Sequence, residues 1–292
     1  MDEVFSETAP AKINLALHIT GRRLDGYHEL DSLVVFADVA DEIEARPASA
    51  DTLTVSGPFG TGLTSGEGNL VLRAVAAFRA AWPDHVPQHL ALKLKKNLPV
   101  AAGLGGGSAD AAAVLRLMAA LGPALLPDHE LMAVATELGA DVPMCLLSRP
   151  CRARGTGERL TPLASFPKTH VVLVNPLVPV VTADVFRRLK LHEQDGLPAL
   201  PEPLTRPAQL GIWLAETRND LEPPAIDMVP VIGELRDTLA RAPGCVLSRM
   251  SGSGATVFGL FGSGTQAHQA AHDLREKWPS YWVAAAPVIE PD

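Results

Sequence analysis

The stretch Pro99-Val-Ala-Ala-Gly-Leu-Gly-Gly-Gly-Ser-Ala-Asp-Ala-Ala-Ala113 decides how this chain is read. Its glycines, Gly103 and Gly105 to Gly107, follow an alternating apolar run (Leu90, Leu92, Leu94) and precede an alanine-rich, helix-favouring run. Glycines let a backbone approach a ligand closely and turn its N–H groups toward it. A helix starting directly afterwards adds unpaired N–H donors and the positive end of its dipole. Strand, glycine loop and helix start together suit an anion, above all a phosphate. The loop is not a Walker A loop, because no Gly-Lys-Ser/Thr follows the glycines. It fits the dinucleotide fingerprint poorly, because several antiparallel-looking strands precede it. A flexible turn is the bland alternative, and helix-start chemistry at Ser108 and Asp110 weighs against it.

A chain of 292 residues suits one large domain or two ordinary ones, and an apolar content of 47% supports a real core. The net charge of -8 argues against a nucleic-acid partner and against an anionic membrane surface. A local loop can still hold a nucleotide on an acidic protein. Met1-Asp2-Glu3 lacks the basic start of a signal peptide. No uninterrupted apolar run spans a bilayer, since Asn175, Pro176 and Pro179 break the stretch from Val171 to Val181. Cys145, Cys151 and Cys245 are too few and too scattered for a disulfide scaffold or a zinc site. Cys145 and Cys151 read as small core residues. The expected class is a cytoplasmic enzyme acting on small molecules.

Lys12 to Thr20 alternates, with Ile13, Leu15, Leu17 and Ile19 on one face and Lys12, Asn14, Ala16 and His18 on the other. Further strands are expected near 30–36, 43–45, 53–55, 90–95, 170–174, 246–249, 256–261 and 281–284. Helices are expected over 70–82 behind an Asn69 cap, over 108–121 closed by Gly122, and over 130–138 closed by Gly139. Others are expected over 183–189, 207–216, 229–239 and 265–277. Asp141 is placed to cap a short helix beginning near Pro143. The proline-rich stretch from Gly196 to Pro207 reads as an exposed connection. This mixture indicates an α+β fold.

Taken one at a time, the polar candidates have ordinary explanations. Lys12 and Asn14 read as solvated residues of an edge strand, and His18 as facing the polar side of its sheet. Tyr27-His28, on a turn, can stack on a base and hydrogen-bond its edge, or simply pack on its own strands. Asp141 has its capping role. Ser251-Gly-Ser-Gly254, between two strands, reads as a hairpin turn.

Together these segments resemble the GHMP kinases (galacto-, homoserine, mevalonate and phosphomevalonate kinases). The match rests on Pro10-Ala-Lys-Ile-Asn-Leu-Ala-Leu-His-Ile-Thr-Gly-Arg-Arg-Leu-Asp-Gly-Tyr-His-Glu-Leu30, on Pro99 to Ala113, and on Met250-Ser-Gly-Ser-Gly-Ala-Thr-Val-Phe258. Gly139-Ala-Asp-Val-Pro143 and Gly155-Thr-Gly-Glu158 also fit. The first segment and the Gly-Leu-Gly-Gly-Gly-Ser form are most similar to the subfamily whose acceptor is cytidine diphosphate linked to methylerythritol. The resemblance implies a two-domain α+β GHMP kinase fold. Residues 1–160 would form an ATP-binding domain like ribosomal protein S5 domain 2, and 161–292 a ferredoxin-like domain. It implies ATP-dependent phosphorylation of the acceptor's 2-hydroxyl in the non-mevalonate route to isoprenoid precursors, by a monomer or weak homodimer.

The resemblance also implies residue roles. ATP phosphates would lie on Pro99, Val100, Ala101, Ala102, Gly103, Leu104, Gly105, Gly106, Gly107, Ser108 and Ala109, with Lys96 and Asn69 near the adenosine. Asp141 would be the general base and Lys12 its cationic neighbour. A lysine there keeps the carboxylate ionised and stabilises the forming alkoxide. Tyr27 and His28 would hold the cytosine, Phe186 would close its other face, and Asn14 and Thr182 would touch polar parts of the substrate. Mg²⁺ is implied with no ligand set; Ser108 is the nearest hydroxyl. Val100-Ala101-Ala102 departs from the glycines and methionine common in the subfamily, and alanine adopts positive φ only at a cost. The rivals are another GHMP kinase and a nucleotide-binding regulator that has lost catalysis. The regulator's mark would be replacement of Lys12 or Asp141, and both are present.

Overall fold

A computed structural model of the chain describes residues 4–66, 68–122, 125–189 and 195–291; the acidic start Met1-Asp2-Glu3 lies outside them. In chain order the first half holds β1 (Phe5–Arg22), β2 (His28–Pro47), β3 (Thr52–Ser56), α1 (Leu70–Ala81), β4 (Leu90–Lys95), α2 (Gly106–Leu121), α3 (Asp128–Leu138), α4 (Val142–Leu147), β5 (Cys151–Gly155) and β6 (Arg159–Pro162). The second holds β7 (His170–Asn175), α5 (Thr182–Arg187), α6 (Pro207–Ala215), α7 (Glu222–Met228), α8 (Val231–Ala240), β8 (Cys245–Met250), β9 (Val257–Phe261), α9 (Gly264–Lys277) and β10 (Trp282–Pro287). They form two compact units that interleave along the chain. One comprises Met1–Ala11, Ala40–Val100 and Gly105–Ser148, the other Lys12–Val39, Ala101–Leu104 and Arg149–Asp292.

In the first unit, β4 runs antiparallel to the end of β2, with Leu94 opposite Ile43, and parallel to β3. Its alternation is the expected one: Leu90, Leu92 and Leu94 are buried while Lys93 and Lys95 face water. Helix α1 starts where expected, because Asn69 Oδ1 accepts from Val71 N at 3.0 Å. It buries Val71, Ala74, Val75 and Phe78, the one-face spacing of an amphipathic helix. Helix α2 begins at Gly106, two residues before the expected Ser108. Its alanine-rich body is almost wholly buried against α1 and α4. Small side chains let three helices approach that closely.

In the second unit, the start of β2 pairs with β5, which turns back into β6. The β5–β6 hairpin had no apolar run to announce it, because Cys-Arg-Ala-Arg-Gly alternates small buried residues with arginines. Strands β10-β7-β9-β8 form a four-stranded antiparallel sheet. With α8 and α9 packed on it, the order is the ferredoxin-like β-α-β-β-α-β arrangement implied by the family resemblance. Val172, Val174, Ile232, Leu235, Leu239 and Phe261 lie in its core. Helix α7 was also missed: its two prolines sit in the first turn, where a helix tolerates them.

Two expectations are corrected here. The proline-rich stretch is a docked strap rather than an exposed connection. Leu197 and Leu204 are buried. Leu197 N donates to Asp31 Oδ2 at 3.0 Å, and Trp213 Nε1 donates to Ala199 O at 2.9 Å. Arg152 clamps Asp31 with two hydrogen bonds and also donates to Leu197 O and Pro198 O. The polar face of β1 is not solvated either: Lys12, Asn14 and His18 are each at most 4% exposed. No helix among the described residues is long and apolar enough to cross a membrane.

Candidate active site

Period two on β1 places Lys12 and Asn14 on one face, and the structure joins them: Lys12 Nζ donates to Asn14 Oδ1 at 2.8 Å. Asn14 Nδ2 donates to Ser32 Oγ, which donates to Ala16 O, at 2.8 and 2.7 Å. Burial forbids a loose ammonium, so each group in the chain is oriented by the next.

The backbone of Lys12 reaches the glycine loop. Lys12 N donates to Leu104 O at 2.9 Å, Thr256 N to Ala102 O at 3.1 Å, and Ser251 Oγ to Gly103 O at 2.9 Å. Three successive loop carbonyls are thus held by the protein. Ala101, Gly103 and Gly105 have φ of 51, 75 and 65°. Positive φ at every second residue is the pattern of a backbone nest, which turns N–H groups toward an anion. Alanine at 101 bears the cost expected of it there. The Ser251–Gly254 turn is a hairpin turn between β8 and β9, and it also packs on this loop. A side chain at Gly103 would overlap the Ser251 carbonyl oxygen.

On the same unit, the His28 and Phe186 rings stack with centroids 4.7 Å apart and 30° between planes. They touch, so they offer a shared surface and no slot between them. Burial, and then the Arg22 charge, hold His28 below its usual pKa, which keeps the imidazole neutral at pH 7. Tyr27 is 64% exposed. Thr182, exposed at the start of α5, hydrogen-bonds the Ser253 hydroxyl at 2.8 Å.

In the first unit, the first bond of α2 runs from Ala109 N to Gly105 O at 2.8 Å, so the N–H groups of Gly106 to Ser108 precede the helical ladder. Before that turn Pro99 is buried and Val100 exposed; within it Ala109 is buried, Gly107 exposed, and Gly106 and Ser108 half-buried. Asp141 precedes α4, whose Cys145 O accepts from Arg116 Nη1 of α2 at 2.9 Å. Its expected capping role is corrected: the residue has helical φ and ψ of -88 and -14°, and its side chain makes no capping bond. The residue is partly exposed. Asn69 caps α1 and donates through Nδ2 to Thr64 O at 2.7 Å.

Lys96 is buried beneath Gly106, where an added Cβ would come within 3.4 Å of its Nζ. It bonds Asp41, and Asp110 Oδ2 at 2.6 Å. Asp41 also accepts from Asn97 N and Leu98 N. Burial alone would lower the Lys96 pKa, but the two carboxylates outweigh it and raise it. Burial pushes Asp110 up to about 7 against the pull of Lys96. Asp41, Asp110, Asn219, Ser251 and Thr256 all serve these segments, and sequence reasoning passed over them in that role.

A family model described as the GHMP kinases N terminal domain matches residues 69–149, and one described as GHMP kinases C terminal matches residues 197–280. The chain is 51% identical over 281 residues to a 4-diphosphocytidyl-2-C-methyl-D-erythritol kinase of Rhizobium johnstonii, covering 94% of this chain and 90% of that one. It is 49% identical over 276 residues to the enzyme of that name from Dinoroseobacter shibae, covering 94% and 92%. Among solved structures it resembles a 4-(cytidine 5'-diphospho)-2C-methyl-D-erythritol kinase with a TM-score of 0.77, at 38% identity over 97% of this chain and 98% of that one. A homoserine kinase from Cytophaga hutchinsonii, 18% identical with a TM-score of 0.72 over 99% and 98% of the two chains, shares the fold.

Proposed function

Since the chain belongs to the GHMP kinase family, we propose that it transfers the γ-phosphoryl group of ATP to the 2-hydroxyl of 4-diphosphocytidyl-2-C-methyl-D-erythritol, giving the 2-phosphate and ADP. The observation that carries the chemistry is the glycine loop with Ala102, Gly103 and Leu104 carbonyls all turned inward, the last held by the backbone of Lys12. The relatives' shared name supplies the acceptor. A boundary near residue 160, between the two matched stretches, belongs to the same reading.

Phosphoryl transfer needs positioning and charge neutralisation more than covalent help from the protein. The loop from Pro99 to Ala109 binds the phosphates through backbone N–H groups and the start of α2. Lys96 and Asn69 border the adenosine. Asp141 takes the proton of the attacking hydroxyl, and Lys12 stabilises the negative charge that develops. The neutral His28 presents one ring N–H and one lone pair, suited to the edge of cytosine, with Tyr27 and Phe186 supplying stacking surface. Asn14 and Thr182 hold polar parts of the acceptor.

No cluster of three or more His, Cys, Asp or Glu side chains suited to a metal exists among the described residues. Mg²⁺ would arrive with ATP, and it takes few protein ligands beside phosphate oxygens. Ser108, a hydroxyl in the first turn of α2, is the residue to hold it, and the ion would offset phosphate charge. Incubation of the purified protein with ATP and each acceptor, following ADP release, tests the proposal. Turnover is expected with the cytidyl compound. ADP formed with homoserine or mevalonate, and none with the cytidyl compound, would overturn it.

A further inference from the structure

Asn219 lies in the loop before α7, is 3% exposed, and has no part in the chemistry proposed above. Its side chain is fully committed. Oδ1 accepts from Leu221 N at 3.0 Å, which tethers the start of α7. Both N–H groups of Nδ2 go elsewhere, to Met250 O and Gly252 O, each at 2.8 Å. Those carbonyls flank Ser251, so the amide fixes the chain on both sides of that residue. Only a primary amide supplies two donors and an acceptor in this plane.

Ser251 is completely buried and faces the glycine loop. Its Oγ donates to Gly103 O at 2.9 Å and accepts from Asn14 N at 3.2 Å. The turn packs so closely on the loop that a Cβ on Gly103 would lie 2.9 Å from Gly254 N, and one on Gly252 would lie 3.1 Å from Gly103 O. Two of the three inward-turned loop carbonyls are therefore set by this turn and the residue that closes it, Thr256.

We propose that Asn219 is a positioning residue for the phosphate loop, acting through the Ser251–Gly254 turn. The inference rests on reading the loop as the ATP site. Losing the Nδ2 donors frees the turn, lets the Gly103 carbonyl swing, and spoils the arrangement of loop N–H groups for phosphate. The other half of the side chain serves α7 alone, so the two roles separate by substitution.

Asn219→Asp keeps the acceptor toward Leu221 N and removes both donors toward the turn. Its affinity for ATP, measured by calorimetry, should fall at least about tenfold, the scale of a lost hydrogen bond to a buried group. Affinity for cytidine diphosphate should stay within about twofold, and the far-ultraviolet circular dichroism should not change. In steady state the loss should appear mainly in KM for ATP, with kcat at saturating ATP falling less. Ser251→Ala, which removes the hydroxyl that donates to Gly103 O and accepts from Asn14 N, should show the same loss of ATP affinity and decides the matter if Asn219→Asp does not fold. Lower thermal stability with unchanged ATP affinity in the variant read out would overturn the proposal and leave Asn219 a structural residue. A wild-type protein that binds cytidine diphosphate but not ATP would instead overturn the assignment of the loop.

Discussion

Lys12 Nζ donates to Asn14 Oδ1 at 2.8 Å in a strand whose surroundings are closed to water. Asn14 Oδ1 orients the Lys12 ammonium, and Asp41 and Asp110 hold that of Lys96. Lys12→Met keeps the stem and removes the charge. It should lower turnover by about 10²–10³-fold, as for loss of one preorganised group at a developing charge. Thermal unfolding should move by only a few degrees. A variant with near-normal turnover in an ADP-release assay would exclude Lys12 from the chemistry.

Asp141 tests the complementary role. Its side chain does not cap α4, so replacing it by asparagine removes no helix-end bond. Asp141→Asn should cut kcat by about 10²–10⁴-fold, the usual worth of a general base. ATP binding, followed by calorimetry, should persist. Near-full activity would assign the proton transfer to another group.

The loop offers an internal control. Ala101 and Gly103 both have positive φ, 51 and 75°. Ala101→Gly removes backbone strain and should be tolerated, changing stability by at most about 1 kcal/mol. Gly103→Ala keeps a similar strain but drives a methyl into the Ser251 carbonyl. ATP affinity should collapse in the second variant and not in the first. Equal affinities in the two would show that steric contact with the turn does not shape the loop.

The first unit was largely legible because β4 and α1 each bury one face and expose the other. Asn69, Gly122 and Gly139 marked helix ends by local chemistry alone. Strand β1 shows the limit of such patterns. Its alternation was correct, yet both faces are covered, and no period distinguishes a polar face in water from one inside a network. His18 illustrates why. Arg218 N donates to its Nε2 and its Nδ1 donates to Asp195 O, partners 200 and 177 positions away. The strap was misjudged for the same reason: proline content marks irregular backbone, while its docking depends on Asp31 and Arg152, far off in sequence. Ser251 looked like a turn residue, which it also is.

Asp110 gives the last prediction, and its sign differs from that of most carboxylates. Burial raises it to about 7 in the folded protein, and Lys96 only partly opposes this. Its Oδ1 is buried without a hydrogen-bond partner among the described residues. The unfolded chain ionises an aspartate near pH 3.9. Between pH 4 and 7 the folded state therefore holds the extra proton. The stability Asp110 contributes is complete below pH 4 and is lost as pH rises through 7. Asp110→Asn mimics the protonated form at every pH. Urea titrations should find the variant close to wild type near pH 4, and increasingly more stable than wild type up to pH 8. The gain there should be on the order of a few kcal/mol, bounded by the lost tie to Lys96. A stability difference that stays flat across that range would mean that Asp110 is ionised throughout, with its charge fully matched by Lys96.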